Sequence, residues 1–347
     1  MSVRESVQGL FKGPEELDLT GGQIGPSLFY LSLPIVITNL LQVGYNFADT
    51  FWLGQYSTNA LAAISLGFPL IYLFISLGLG LTIAGSVLVA QHIGAGDRQE
   101  AEYAASQTVG FTLIVSIVLG GSGFFFITDI LGIFSAAPTV LGLATAYMRI
   151  IALGLPFLFG FIVFISLMRG SGDTLTPMVV MFGTVMLNVV LDPILIFGWG
   201  PLPELGVQGA AIATVIARGA ATFVGIYILF RGTHGIRIHP SQLWPDFQYT
   251  QKLLRIGAPA SIENTGRAIS VNAVLLIVTL FSTTVVAAFG IGIRVFSIIF
   301  MPAIAIDRGV ETMTGQNIGA GKLARVQETN RFAAKSSFSI LAIMGVI

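Results

Sequence analysis

Nine apolar stretches, most of them at least as long as the roughly 20 residues a helix needs to cross about 30 Å of hydrocarbon, limit what this chain can fold into. They run near 27–53, 61–90, 103–126, 139–168, 175–198, 206–231, 256–281, 284–312 and 328–347. A chain of 347 residues that is 54% hydrophobic and 10% charged has more apolar surface than one soluble core can bury, so lipid is the expected solvent. The 41 glycines suit that solvent, because helices in a bilayer pack through small residues that let backbones approach. Seventeen basic and seventeen acidic residues cancel, so net charge gives no reason to expect nucleic acid. With no cysteine there is no disulfide, thiol nucleophile or thiolate metal site. Residues 1–25 lack the apolar core of a cleavable signal, so the first apolar stretch is expected to direct insertion.

Lys and Arg fall on alternate connections. Arg4, Lys12, Arg98, Arg169, Arg231, Arg237, Lys252, Arg255, Lys322, Arg325, Arg331 and Lys335 share one side, and the connections at 54–59, 129–138, 198–208 and 282–284 carry none. The positive-inside rule then predicts a multi-pass protein of the cell membrane with a cytoplasmic N-terminus.

A direct repeat organises the stretches. Gln91-His92-Ile93-Gly94-Ala95-Gly96 recurs as Gln316-Asn317-Ile318-Gly319-Ala320-Gly321, 225 residues later, and the same offset carries Pro34 onto Pro259 and Ala62-Ala63 onto Ala287-Ala288. Two homologous halves of six helices each, both entering from the same side, are predicted: a parallel repeat. The predicted segments are a cytoplasmic N-terminal stretch (1–26), an N-lobe of helices 1–6 (27–231), a cytoplasmic linker (232–251) and a partial C-lobe of helices 7–9 (252–347). Residue 347 matches position 122 of the first copy, so the second half is expected to be C-terminally truncated, with about nine transmembrane helices in all.

Polar residues inside the apolar stretches are the candidate functional groups. The first stretch holds Asn39, Gln42, Asn46 and Asp49, whose spacings of three and four place them along one helical stripe. The fifth holds Asn188 and Asp192, an i, i+4 pair, followed by Pro193, which frees a carbonyl one turn back. An Asp at the middle of a membrane helix costs about 2.5–3.5 kcal/mol on insertion scales, so two of them call for each other or for water. Asp49, Asp192 and Thr214 of the sixth stretch fall at a similar depth and form an oxygen-rich set suited to a proton or a hard monovalent cation. Asn46 and Gln42 are supporting polar residues, and Pro34 and Pro193, with Gly44, are hinge candidates. Glu263 and Arg267 read as a structural i, i+4 pair, and Arg149 as an anchor at the helix end. His92, His234 and His239 form no metal constellation, and no nucleophile set with usable spacing points to an enzyme.

Several segments together resemble the multidrug and toxic compound extrusion (MATE) transporters. They are Tyr45-Asn46-Phe47-Ala48-Asp49-Thr50, the repeated Gln-x-Ile-Gly-Ala-Gly, Arg169-Gly170-Ser171-Gly172-Asp173, Asn188-Val189-Val190-Leu191-Asp192-Pro193 and Gly209-Ala210-Ala211-Ile212-Ala213-Thr214. The position of Glu263, only four residues beyond Pro259, is closer to the DinF-like and archaeal branch. That resemblance implies that Asp49, Asn188, Asp192 and Thr214 are the cation site. It also implies antiport by alternating access, in which H⁺ or Na⁺ enters and small organic compounds, cationic or amphipathic, leave. No cofactor beyond the coupling ion is implied, and the expected state is a monomer in lipid. Two alternatives stay open: a flippase for a lipid-linked oligosaccharide precursor, and an inactive truncated fragment.

Overall fold

In the computed structural model, residues 13, 16–133, 137–200, 202–278 and 283–346 are described. Arg4 and Lys12 of the expected cytoplasmic stretch, and residue 282 of the connection expected at 282–284, lie outside them. The described residues form α1 (Ile24–Tyr56), α2 (Thr58–Gly94), α3 (Arg98–Gly132), α4 (Pro138–Gly170), α5 (Leu175–Phe197) and α6 (Val207–Arg231). A short 3₁₀ turn (Pro240–Gln242) leads to α7 (Phe247–Val278), α8 (Thr283–Gly319) and α9 (Leu323–Val346). Among the described residues, α1 to α6 are the helices long and apolar enough to cross a membrane. Phe125, Phe126, Phe223 and Ile117 point outward and exposed, as side chains facing lipid do. The fold is an all-α, multi-pass membrane bundle.

Most helices overrun their apolar stretches, because hydropathy registers the part that crosses hydrocarbon while capping decides where a helix begins. Asp97 accepts from the Glu100 N–H at 3.1 Å and starts α3. Asp246 accepts from the Tyr249 N–H at 2.8 Å and starts α7 at Phe247, inside the 232–251 segment read as linker. What remains of that segment is fastened to α3. The Gln107 amide donates to the carbonyls of Gln242 (2.7 Å) and Trp244 (3.0 Å) and accepts from the Asp246 N–H (2.7 Å). His239 lies 2.8 Å from Glu102.

The repeat is visible in the helix limits themselves: α2 spans 58–94 and α8 spans 283–319, both ends displaced by 225. Each is followed by a glycine of positive φ at the matching place, Gly96 (75°) and Gly321 (72°). The two copies of the motif pack on each other reciprocally. A Cβ added to Gly94 would stand 1.8 Å from the Gln316 carbonyl oxygen, and one added to Gly319 would stand 1.8 Å from that of Gln91. Farther into the bundle Gly80 of α2 meets Gly257 of α7 in the same way, each backbone within 2.5 Å or less of the other's would-be Cβ. Hydrogen bonds close the same end of the bundle. The Thr312 hydroxyl donates to the Arg169 carbonyl (3.0 Å), and the Asn317 amide donates to Leu19 O (3.0 Å). Lys322 donates to Thr20 O (3.0 Å) and Arg325 to Gly22 O. The strap so held is shaped by Asp18, whose carboxylate accepts from the Gly21 (2.7 Å) and Thr20 (3.1 Å) N–H groups. Those donors, Gly21 first, hold the Asp18 carboxyl below the usual carboxylate range.

Gly94→Val or Gly319→Val would force a branched side chain onto backbone, at a cost of about 1–3 kcal/mol typical of overpacking. With no native cysteine in the way, spin labels at Ala95→Cys and Ala320→Cys are expected to report a longer and broader distance in either variant. An unchanged distribution would mean that this joint does not hold the two halves together.

Candidate functional site

Three helices of the first half bring the polar stripe together. α1 contributes Gln42, Tyr45, Asn46 and Asp49, α5 contributes Asn188 and Asp192, and α6 contributes Thr214 and Arg218. Asp49 is 4% exposed, Thr214 7%, and Asn188 and Asp192 0%, so these four side chains are turned into the bundle and away from lipid. The Thr214 hydroxyl donates to Asp49 Oδ2 at 3.4 Å, two turns into α6 and at the depth its position implied. The Asn188 amide donates to Asp192 Oδ1 at 3.1 Å, the i, i+4 bond of a helix face. The Asp49 carboxyl in turn adjoins both Asp192 and Asn188 across the α1–α5 contact.

These bonds leave a remainder. Asp49 Oδ1, Asn188 Oδ1, Asp192 Oδ2 and the Tyr45 hydroxyl are buried without a hydrogen-bond partner. Buried polar atoms are paired as a rule, and clustered exceptions call for an explanation. Three of the four are oxygens of an amide or carboxylate, with a phenol beside them. Together they offer hard oxygen donors to a proton or a small cation. A pocket of about 90 Å³ lies beside them, lined by Tyr45, Asn46, Asp49, Tyr147, Thr214 and Arg218.

A family model for MatE matches residues 34–194 and again 259–347, and the two starts are 225 apart, the offset of the internal repeat. The chain belongs to the MatE family. Among the relatives of this MATE chain, the probable multidrug resistance protein YoeA of Bacillus subtilis (strain 168) is 30% identical, the match covering 92% of this chain and 70% of the relative. A protein of Shewanella oneidensis named FAD transporter is 31% identical, with 89% and 69% covered. A crystal structure of MATE in complex with MaL6 superposes with a TM-score of 0.88 at 27% identity, covering 97% of this chain and 74% of that one. Family members are membrane transporters, and relatives of this MATE chain carry multidrug resistance names.

The structure brings together the four residues expected at the site. The supporting pair sits one turn away, where Gln42 donates to Asn46 Oδ1 at 3.1 Å. Pro34 and Pro193 lie inside α1 and α5, and the Thr38 hydroxyl donates to the Pro34 carbonyl at 2.8 Å. Arg149 donates to Thr128 at 3.1 Å over the Phe124 ring, apart from the cluster. Glu263 and Arg267 pair at 3.4 Å on an exposed face. His234 and His239 each meet one acid, Asp173 and Glu102, and among the described residues no group of His, Cys, Asp and Glu is assembled for a metal.

Arg218 and Tyr147 are the residues that the sequence reading missed. Arg218 is 9% exposed near the middle of α6. Its guanidinium donates to Gln42 Oε1 at 2.7 Å and lies 4.4 Å from the centre of the Tyr45 ring. The signal was available: an arginine at the centre of an apolar stretch, four residues beyond Thr214, shares that residue's helix face.

Replacing Asn188 by Leu removes the amide that donates to Asp192 Oδ1 and leaves a second orphan on that carboxyl. The expected cost is about 1–3 kcal/mol, read as a lower thermal unfolding midpoint of the purified protein. An unchanged midpoint would mean that the amide contributes nothing to this packing.

Proposed function

We propose that the chain is a secondary antiporter that exports small organic compounds in exchange for entering H⁺ or Na⁺, with Asp49, Asn188, Asp192 and Thr214 as the cation site. The observation that carries this reading is the set of orphaned oxygens on Asp49, Asn188 and Asp192, three buried acceptors on two helices with no donor among them. A proton or Na⁺ supplies what they lack and offsets the mutual repulsion of two carboxylates, and its departure restores that repulsion. The Thr214 hydroxyl orients the Asp49 carboxyl, and the Asn188 amide orients that of Asp192.

Loading the site ties α1 to α5. Because α1 also carries Gln42, Tyr45 and Asn46, which line the neighbouring cavity, a change in its packing reaches the substrate space directly. Pro34 and Gly44 are the places where α1 bends most readily, Pro34 by a missing hydrogen bond and Gly44 by a missing side chain. The Gly94 and Gly319 joint closes the basic end of the bundle, so opening toward the other end and parting of this joint are the two states of alternating access. The distribution of Lys and Arg supports a cytoplasmic basic end, and the proposed state is a monomer in the cell membrane.

Reconstituted in proteoliposomes, the chain is expected to export at least one of ethidium and fluorescein, aromatic probes of opposite charge, when a proton or sodium gradient is imposed. Asp49→Asn and Asp192→Asn, which keep shape and remove charge, are expected to lower the coupled flux at least tenfold. Flux that persists in both variants, or that no gradient drives, would overturn the assignment. Gly44→Ala meets nothing within 4 Å and favours the straight helix by about 0.5–1 kcal/mol. It is expected to slow transport several-fold with the unfolding midpoint kept or raised, and an unaltered rate would remove Gly44 as a bending point.

A further inference from the structure

Beside the acids lies a space with a different chemistry. A cavity of about 350 Å³, within the range of small-molecule sites, is lined on its apolar side by Phe68, Tyr72 and Phe161 and on its polar side by Gln42, Asn46 and Arg218. Arg218 is the sole ionised side chain among the described residues that line it, and Asp49 lines the adjoining pocket of about 90 Å³, which shares Gln42, Asn46, Phe68 and Arg218 with it. The guanidinium has five N–H donors. One nitrogen donates to Gln42 Oε1 at 2.7 Å, and another reaches only the Met181 sulfur at 3.6 Å, a weak acceptor. Its flat face covers the Tyr45 ring at 4.4 Å and approaches the Phe161 ring at 5.3 Å. None of the ion pairs formed among the described residues includes it.

A second arginine continues the pattern toward the basic end. A cavity of about 140 Å³ shares Gln42 and Ile165 with the first and has Arg169 as its charged lining residue, again with no acid. Arg169 Nε is buried without a partner. Two adjoining cavities with one guanidinium each, and aromatic walls in the larger, are complementary to a flat molecule that carries negative charge.

We propose that this cavity binds planar aromatic oxyanions, carboxylates or phosphates, with the ring between Phe68, Tyr72 and Phe161 and the anionic group on Arg218. The acids and the arginines then have separate tasks. Asp49 and Asp192 hold the coupling cation, and Arg218 selects the substrate by charge, with Arg169 offering a second position nearer the basic end. The inference rests on the transport reading for what becomes of the bound molecule, although binding itself needs no gradient.

Equilibrium dialysis of the purified full chain against 2-naphthoate, 2-naphthyl phosphate and 2-naphthylmethylammonium tests it, since the three probes share a ring system and differ in charge. At least one anion is expected to bind tenfold or more tighter than the ammonium, and the tighter of the two names the oxyanion. Arg218→Met is expected to weaken anion binding at least tenfold, and Arg218→Lys to keep part of the preference. The proposal is overturned if the unaltered chain binds the ammonium as tightly as the anions, a result that needs no variant to fold. It is also overturned if Arg218→Met binds the anions undiminished, which would leave Arg218 as an internal counter-charge for the acids. Dialysis requires no ion gradient, so a failure of ion coupling and a failure of anion selection are read separately.

Discussion

Charge is expensive inside an apolar bundle, and the first half of this chain gathers three of its buried charges in one place, with Asp173 apart at the α4–α5 turn. Asp49, Asp192 and Arg218 lie on three different helices, each fully or nearly withdrawn from the surface. A buried ion needs a partner, hydrogen bonds or a bound ion of the opposite sign. Each of these has a neutral companion from a neighbouring position: Thr214 for Asp49, Asn188 for Asp192, and Gln42 for Arg218. The companions satisfy one oxygen of each carboxylate and leave the other unpaired, and the proposed cation site rests on that remainder.

The helices that carry these groups are held in register by contacts with no charge at all. α2 is the element that joins the halves, packing against α4 and α3 on its own side and against α7 and α8 across the interface. Those crossings approach to backbone distance because glycine occupies them. Contacts of this kind depend on shape alone, so they part cleanly once either helix tilts. The polar cluster lies farther from the basic end, where α1, α5 and α6 meet.

Much of this was legible in the sequence. Hydropathy located the helices, and the 225-residue offset predicted that α8 would repeat α2, which it does to the residue at both ends. The stripe Gln42, Asn46, Asp49 and the pair Asn188, Asp192 could be placed on helix faces by spacing alone. Helix starts were less legible, because a cap such as Asp246 is a local hydrogen bond that an apolar window does not register. Arg218 escaped for a related reason: counting basic residues by connection reads topology and passes over a cation within a span. Tyr147 was beyond reach, since only the packing of α4 brings it to the pocket.

The reciprocity of the joint has a historical reading. Gly94 rests on Gln316 while Gly319 rests on Gln91, so each copy of the motif supplies both the notch and the ridge that fills it. A surface with that property is complementary to itself under a two-fold rotation, the geometry of an isologous dimer. A half-length ancestor bearing one such motif would therefore have paired with its own twin through this surface. Fusion of the two genes would have preserved the contact and freed each copy to diverge, so that the position of Asp49 in the first copy is held by Val274 in the second.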